Sequence, residues 1–150
     1  MADFPPMSVL PANEESLMMQ SKWFAAVVVL CGMVGLVAAA ADLSIDEIMT
    51  KAHKARTGLR DQIKNAAAMP NPDWAQIQQK TKEFLELAKQ LVKNDPPKGD
   101  KASWEKYCAD YLDIVKALDE AAAKKDARAI ADVNKRLGAS CKGCHDAHQP

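Results

Sequence analysis

Cys141-Lys142-Gly143-Cys144-His145, close to the C-terminal end, sets two thiols three residues apart with an imidazole directly after the second. Thiols at that spacing can add to the two vinyl groups of one porphyrin, and the adjacent imidazole can then take an axial place on its iron. C-x-x-C-H is the attachment signature of a c-type haem. Other uses of the same letters fit less well. A thioredoxin-like C-x-x-C belongs to a strand–helix setting, and no run of this chain alternates with the period of a strand. A structural zinc ion takes four ligands, and no fourth stands at a usual spacing. The expectation is one covalently held haem c, joined through Cys141 and Cys144, with His145 as the proximal iron ligand.

The opposite side of the iron has two candidates. Met49 and His53 lie four residues apart and so share one face of a helix. Thioether ligation by Met49 gives a low-spin centre of raised potential, and imidazole ligation by His53 a lower one. With neither, the iron is five-coordinate and open to small gases. Each residue also has an ordinary role to play, Met49 as a core filler and His53 as a partly exposed group beside a haem propionate. Cys108 reads as a small buried thiol, with thiolate ligation as the alternative. His148 reads as solvent-facing in a frayed terminus. Lys51, Lys54, Arg56 and Lys142 are candidates to neutralise propionates, or simply solvated lysines and an arginine.

Helices must position these groups. Ser44-Ile45-Asp46-Glu47 is a capping box, and Leu43 before it can staple onto Ile48. Ile45, Ile48, Met49, Ala52, Leu59 and Ile63 keep one helical stripe, which predicts a first helix running to about Asn65. Asn71-Pro72 predicts the start of a second, with Trp74, Ile77, Phe84, Leu85, Ala88, Leu91 and Val92 inward. It ends at the breaker Asn94-Asp95-Pro96-Pro97-Lys98-Gly99-Asp100. A third opens near Ser103 and turns Trp104, Tyr107, Cys108, Tyr111, Leu112, Val115 and Leu118 inward. Asp126 caps the fourth, whose stripe passes through Ile130, Val133 and Leu137 to the thiol pair. Four helices with short loops predict an all-α, antiparallel up-down-up-down four-helix bundle. In that topology the end of the fourth helix meets the start of the first, the end of the second and the start of the third. Trp104, Tyr107 and Tyr111 then cluster where a flat macrocycle needs large partners.

Ahead of these helices, residues Trp23 to Ala41 are almost unbroken apolar sequence after Lys22, ending in alanines. That pattern reads as a signal peptide over residues 1–41, cut after Ala40 or Ala41, or as an uncleaved anchor. The polar lead is long for a signal, so Met18 or Met19 is a candidate start. Cys31 lacks the small residues before it that a lipoprotein site needs. The domain at 42–150 is therefore expected to be exported, periplasmic or otherwise, which suits haem attachment outside the cytoplasm.

Totals agree with this division. The 150 residues carry 20 Lys and Arg against 20 Asp and Glu, and the part after the apolar run holds 19 against 17, or +2. Such balance leaves no footprint for nucleic acid and no basic face for a membrane surface. Membrane association is expected only through an uncleaved leader. Isolated Cys31 and Cys108 indicate no disulfide framework.

A haem-attachment pentapeptide in the last turns of the last of four helices resembles the class II cytochromes c, the cytochrome c-prime and c-556 group, over roughly Asp42 to Pro150. The resemblance implies a sixth ligand in low-spin members from a methionine in the opening turns of the first helix, where Met49 stands. High-spin c-prime members have no such ligand. They carry a basic residue shortly after the haem histidine, whereas Asp146-Ala147-His148 follows here. Pairing through the first two helices, common in that group, implies a possible homodimer. No catalytic constellation stands out beyond His53. The expected role is an electron carrier working with redox partner proteins, with a five-coordinate gas-binding module as the alternative and a peroxidase behind both.

Overall fold

Ser44 opens the first helix with the predicted capping box. Its hydroxyl accepts the Glu47 amide, and the Glu47 carboxylate accepts the Ser44 amide at 2.9 Å. The computed structural model describes residues 42–150. The predicted leader over residues 1–41, with its cleavage position, its candidate starts and Cys31, lies outside the described residues.

Five helices follow: α1 (Ile45–His53), α2 (Leu59–Ala67), α3 (Trp74–Leu91), α4 (Lys101–Ala123) and α5 (Ala127–His148). The described residues are all-helical with no strand, as expected. None of these helices is long and apolar enough to cross a membrane.

One expectation fails at the first helix. The run from Ile45 to about Asn65 is two helices, separated at Lys54–Gly58. Lys54 leaves helical geometry, its carbonyl accepts the Thr57 and Gly58 amides, and Arg56 sits in the left-handed region at φ 67°. The Asp61 carboxylate holds the Arg56 amide at 2.9 Å. Ala52 and Leu59 are seven apart, which two full helical turns would also bring into line. The stripe therefore survived the interruption and concealed it. Gly58 has an ordinary φ but no room for a side chain. A Cβ there would lie 2.7 Å from the Lys54 nitrogen and 2.9 Å from the Ala52 carbonyl oxygen.

Two other starts shift by a few residues, and an aspartate supplies the cap in each. Asp73 caps α3 by accepting the Gln76 amide, in place of Asn71 with Pro72 at the first helical position. Asp100 caps α4 through the Ser103 amide at 2.8 Å, and Asp126 caps α5 as predicted. Val92 falls just past the end of α3 and is exposed, contrary to its expected inward place.

The core is one cluster through all five helices, with Ile48, Ile63, Ile77, Phe84, Val115, Leu118 and Leu137 fully buried. Each such side chain contributes about 1.5–3 kcal/mol by leaving water. α3 packs on α4 and α4 on α5, while α2 touches both α3 and α5. The backbone of α1 approaches only α2 and α3 closely, and α1 reaches α4 through the His53 side chain. That separation leaves a gap between α1 and the ends of α4 and α5.

The tight return at Gly58 gives a direct check. Gly58→Ala forces a methyl group against fixed backbone and should cost about 1–3 kcal/mol, read as a lower urea midpoint with an unchanged slope.

Candidate functional site

α5 supplies the motif. Its buried positions Ile130, Asn134, Leu137 and His148, with half-buried Cys141 and Cys144 between the last two, step by three and four residues along one face. Cys141 donates its S–H to the Leu137 carbonyl at 3.2 Å, and neither it nor Cys144 is in a disulfide. The stripe runs on to His148, not His145. His145 therefore lies at an exposed flank, although it still lines the gap left by α1.

That gap is a cavity of about 950 Å³, at the upper end of the range that cofactor sites occupy. Cys141, Cys144 and His145 line it from α5, Met49 and His53 from α1, and Trp104, Tyr107, Cys108 and Tyr111 from α4. The residues singled out for chemistry thus come together from three helices. Leu91, Asn94 and Pro97 close it from the end of α3 and the following loop. Among the described residues no three His, Cys, Asp or Glu side chains are grouped to hold a bare metal ion.

On the α1 side the two candidate ligands differ in freedom. His53 is engaged: Nε2 and the Tyr111 hydroxyl are hydrogen-bonded at 2.9 Å, and the ring stands edge-on to Phe84 at 5.6 Å. Its Nδ1 is buried without a partner. Burial first, then the charges of Arg60 and His145, bring its pKa down to about 4, against a smaller opposing effect of Asp61. His53 is therefore a neutral ring at physiological pH. Burial also pushes the Tyr111 phenol well up, with Cys141 adding to it, so its proton stays on. Met49 is half-buried, and its thioether needs no hydrogen bond.

Cys108 and Cys144 behave alike. Burial pushes Cys108 up to about 12, with Cys144 adding to it, so Cys108 is a protonated, buried thiol. Burial raises Cys144 as well, followed by the charge of Cys141.

His148 departs furthest from expectation. It is 2 % exposed and stands edge-on to Trp104 and Tyr107, with ring centroids at 5.4 and 5.8 Å. Nδ1 lies 2.9 Å from the Lys98 carbonyl, which can only accept, so Nδ1 carries the proton. Nε2 meets the Ser103 hydroxyl at 3.2 Å. Gly99 makes this approach possible. It adopts φ 82°, and a Cβ there would be 2.8 Å from the Ala147 carbonyl oxygen and 3.0 Å from His148 Nδ1. Trp104 in turn donates its indole N–H to the Asn94 carbonyl, and the Asn94 amide donates to the Leu43 carbonyl. One network ties the C-terminus, the loop, α4 and the approach to α1. The signal was present in the spacing, since His148 falls four residues after Cys144 on the buried stripe.

Two further glycines on α5 make room for neighbours. A Cβ at Gly143 would press on the Tyr107 hydroxyl at 3.1 Å, so this glycine lets Tyr107 lie over the pentapeptide. A Cβ at Gly138 would lie 2.8 Å from Arg60 Nη2, and a glycine inside a helix costs about 1 kcal/mol against alanine. Arg60, absent from the sequence-based candidates, lines the cavity, whereas Lys51, Lys54, Arg56 and Lys142 do not. Those four are exposed, and Lys142 pairs with Asp146 at 2.6 Å.

No family model matches this chain, and no curated protein or solved structure is significantly similar to it.

Two outcomes follow from these contacts. A histidine held neutral in the fold binds its proton more weakly than when unfolded, so its stabilisation is complete above about pH 6.5 and lost as pH falls towards 4. At about 1.4 kcal/mol for each pH unit between those values the loss is about 3 kcal/mol, and His53→Gln should flatten that part of a stability–pH curve measured by urea unfolding. His148→Ala leaves the Lys98 carbonyl and the Ser103 hydroxyl without their partner, at a cost of about 1–3 kcal/mol. Faster proteolytic cleavage of the 94–100 loop would register it, with His148→Asn, which keeps a donor near the Nδ1 position, cut more slowly.

Proposed function

We propose that the chain is an exported c-type cytochrome holding one haem and carrying single electrons, of the class II type it resembles. In this reading α1 and α2 together form the first arm of an antiparallel up-down-up-down four-helix bundle, bent at Lys54–Gly58. The observation that carries the proposal is the convergence of Cys141, Cys144 and His145 from α5 with Met49 from α1 on one cavity of about 950 Å³. The donor set fits the group: two thiols three residues apart for the vinyl carbons, an imidazole beside them, and a thioether from a separate helix.

Cys141 and Cys144 would hold the haem by thioether bonds, His145 would be the proximal ligand, and Met49 the sixth. His53 is the less suitable sixth ligand, because Tyr111 already holds its Nε2 and Phe84 stands against its ring. When bound, the haem supplies a one-electron iron couple. The protein's own part is to position and to exclude water. Trp104 and Tyr107 supply flat apolar walls, Cys108 stays a neutral thiol, and Tyr111 fixes the neutral His53 ring without adding a charge. Neutral, largely apolar neighbours of this kind favour the less charged, reduced iron and so raise the potential.

Export through the 1–41 segment, soluble after cleavage or anchored by it, belongs to the same proposal, as do redox proteins as partners and a homodimer as the form. The test is absorption spectroscopy of the purified holoprotein, oxidised and reduced, with and without carbon monoxide, together with its mass. A low-spin spectrum whose methionine-to-iron band disappears in Met49→Ala is the expected result. A high-spin spectrum with ready carbon monoxide binding would turn the reading to a gas-binding module, and a chain without covalent haem would end it.

A further inference from the structure

A cation inside a largely apolar cavity needs an anion. Arg60 is half-buried and lines the cavity from the first turn of α2. Its one hydrogen bond runs from Nη2 to the Asn134 carbonyl at 3.1 Å. That oxygen belongs to the α5 backbone and satisfies one of five guanidinium N–H groups. Among the described residues every ion pair is made by a lysine, and no carboxylate lies within ion-pair reach of Arg60. The neighbouring Asp61 is turned instead to the Arg56 amide.

The seat of this guanidinium is built into α5. Gly138 stands one helical turn beyond Asn134 and one turn before Cys141, and a Cβ there would lie 2.8 Å from Arg60 Nη2, so the guanidinium would have to leave this position. A helix that accepts glycine at an interior position, where alanine would be favoured, is shaped around what passes over it. Asn134 anchors the guanidinium and Gly138 admits it. The remaining N–H groups form a planar fork suited to a carboxylate. The break at Lys54–Gly58 is what brings this arginine, on a helix of its own, to the cavity.

We infer that Arg60, seated by the Asn134 carbonyl and the space at Gly138, is the cavity's carboxylate-holding group and takes a propionate of the prosthetic group. This rests on the haem reading above and adds a binding residue to it. The neighbouring His53 is neutral with or without Arg60 at about pH 8, so measurements there isolate the guanidinium.

The experiment compares holoproteins of the full chain, Arg60→Gln, Arg60→Lys and Gly138→Ala, each matured with the haem-attachment machinery. The readouts are mass, the haem carboxylate-bending band in resonance Raman spectra, and the reduction potential. Arg60→Gln should move the carboxylate band and shift the one-electron equilibrium roughly tenfold towards the oxidised form, about 59 mV. Arg60→Lys should keep most of the potential while losing the forked contact in the Raman band. Gly138→Ala, which displaces the guanidinium without removing it, should give an intermediate band. Fully attached haem with the carboxylate band and potential unchanged in Arg60→Gln would overturn the inference and leave the haem reading intact. If Arg60→Gln does not accumulate, an unchanged band in both Gly138→Ala and Arg60→Lys would overturn it equally. A wild-type chain without covalent haem would overturn both, and the mass tells these failures apart.

Discussion

The arrangement depends on one line of side chains along α5. Ile130, Asn134, Leu137, Cys141, Cys144 and His148 follow each other at steps of three and four, the spacing that keeps one helical face against its neighbours. The upper part of that line is ordinary core. At its lower end the same face presents two thiols to a cavity and is then closed by a histidine. His148, fixed to the Lys98 carbonyl and set against Trp104 and Tyr107, prevents the last turn from fraying. The thiols are therefore held from both sides along their own helix, by apolar packing above and by a hydrogen-bonded ring below. His145, one position off the line, is left at the exposed flank.

What faces that line is set by a defect elsewhere. Had the first helix run unbroken, its whole length would have been free to pack as one rod. The turn at Lys54–Gly58 divides it, so that α2 closes against α3 and α5 while the backbone of α1 stays beside α2 and α3. The space that α1 leaves beside α4 and α5 is the cavity. One backbone feature accounts for both the opening and its contents, because the same turn presents Met49 and His53 before it and Arg60 after it. The strain is modest, a single residue in the left-handed region and a glycine pressed against backbone.

The cavity treats its polar groups unequally. His53, Tyr111 and Cys108 are all pushed towards their neutral forms by burial, so the walls contribute dipoles and apolar surface rather than charge. Arg60 brings a guanidinium into the same surroundings. Of the charged side chains that line it, Asp46, Asp95 and Asp110 are exposed and Arg60 is half-buried, a contrast that favours a ligand whose body is apolar and whose edge is anionic. Both the proposed haem and the inferred propionate contact draw on that contrast.

The local order along the chain was legible in advance. The capping box at Ser44, the breaker from Asn94 to Asp100, the cap at Asp126 and the apolar stripes all act through neighbours a few residues away, and such effects are written in spacing. The intervals between Cys141, Cys144 and His145 were legible in the same way, and the haem attachment proposed for them rests on those intervals. The break at Lys54–Gly58 escaped, because a seven-residue step keeps register across a turn as well as through a helix. Arg60 escaped with it, since its place depends on where α2 points. The burial of His148 was decided by a carbonyl fifty residues away and a glycine free to take a positive φ. Sequence by itself determined which groups exist and which helices carry them. Only the tertiary structure decided which of them meet, because meeting depends on how far each helix turns from its neighbour, and that is set by packing over the whole chain.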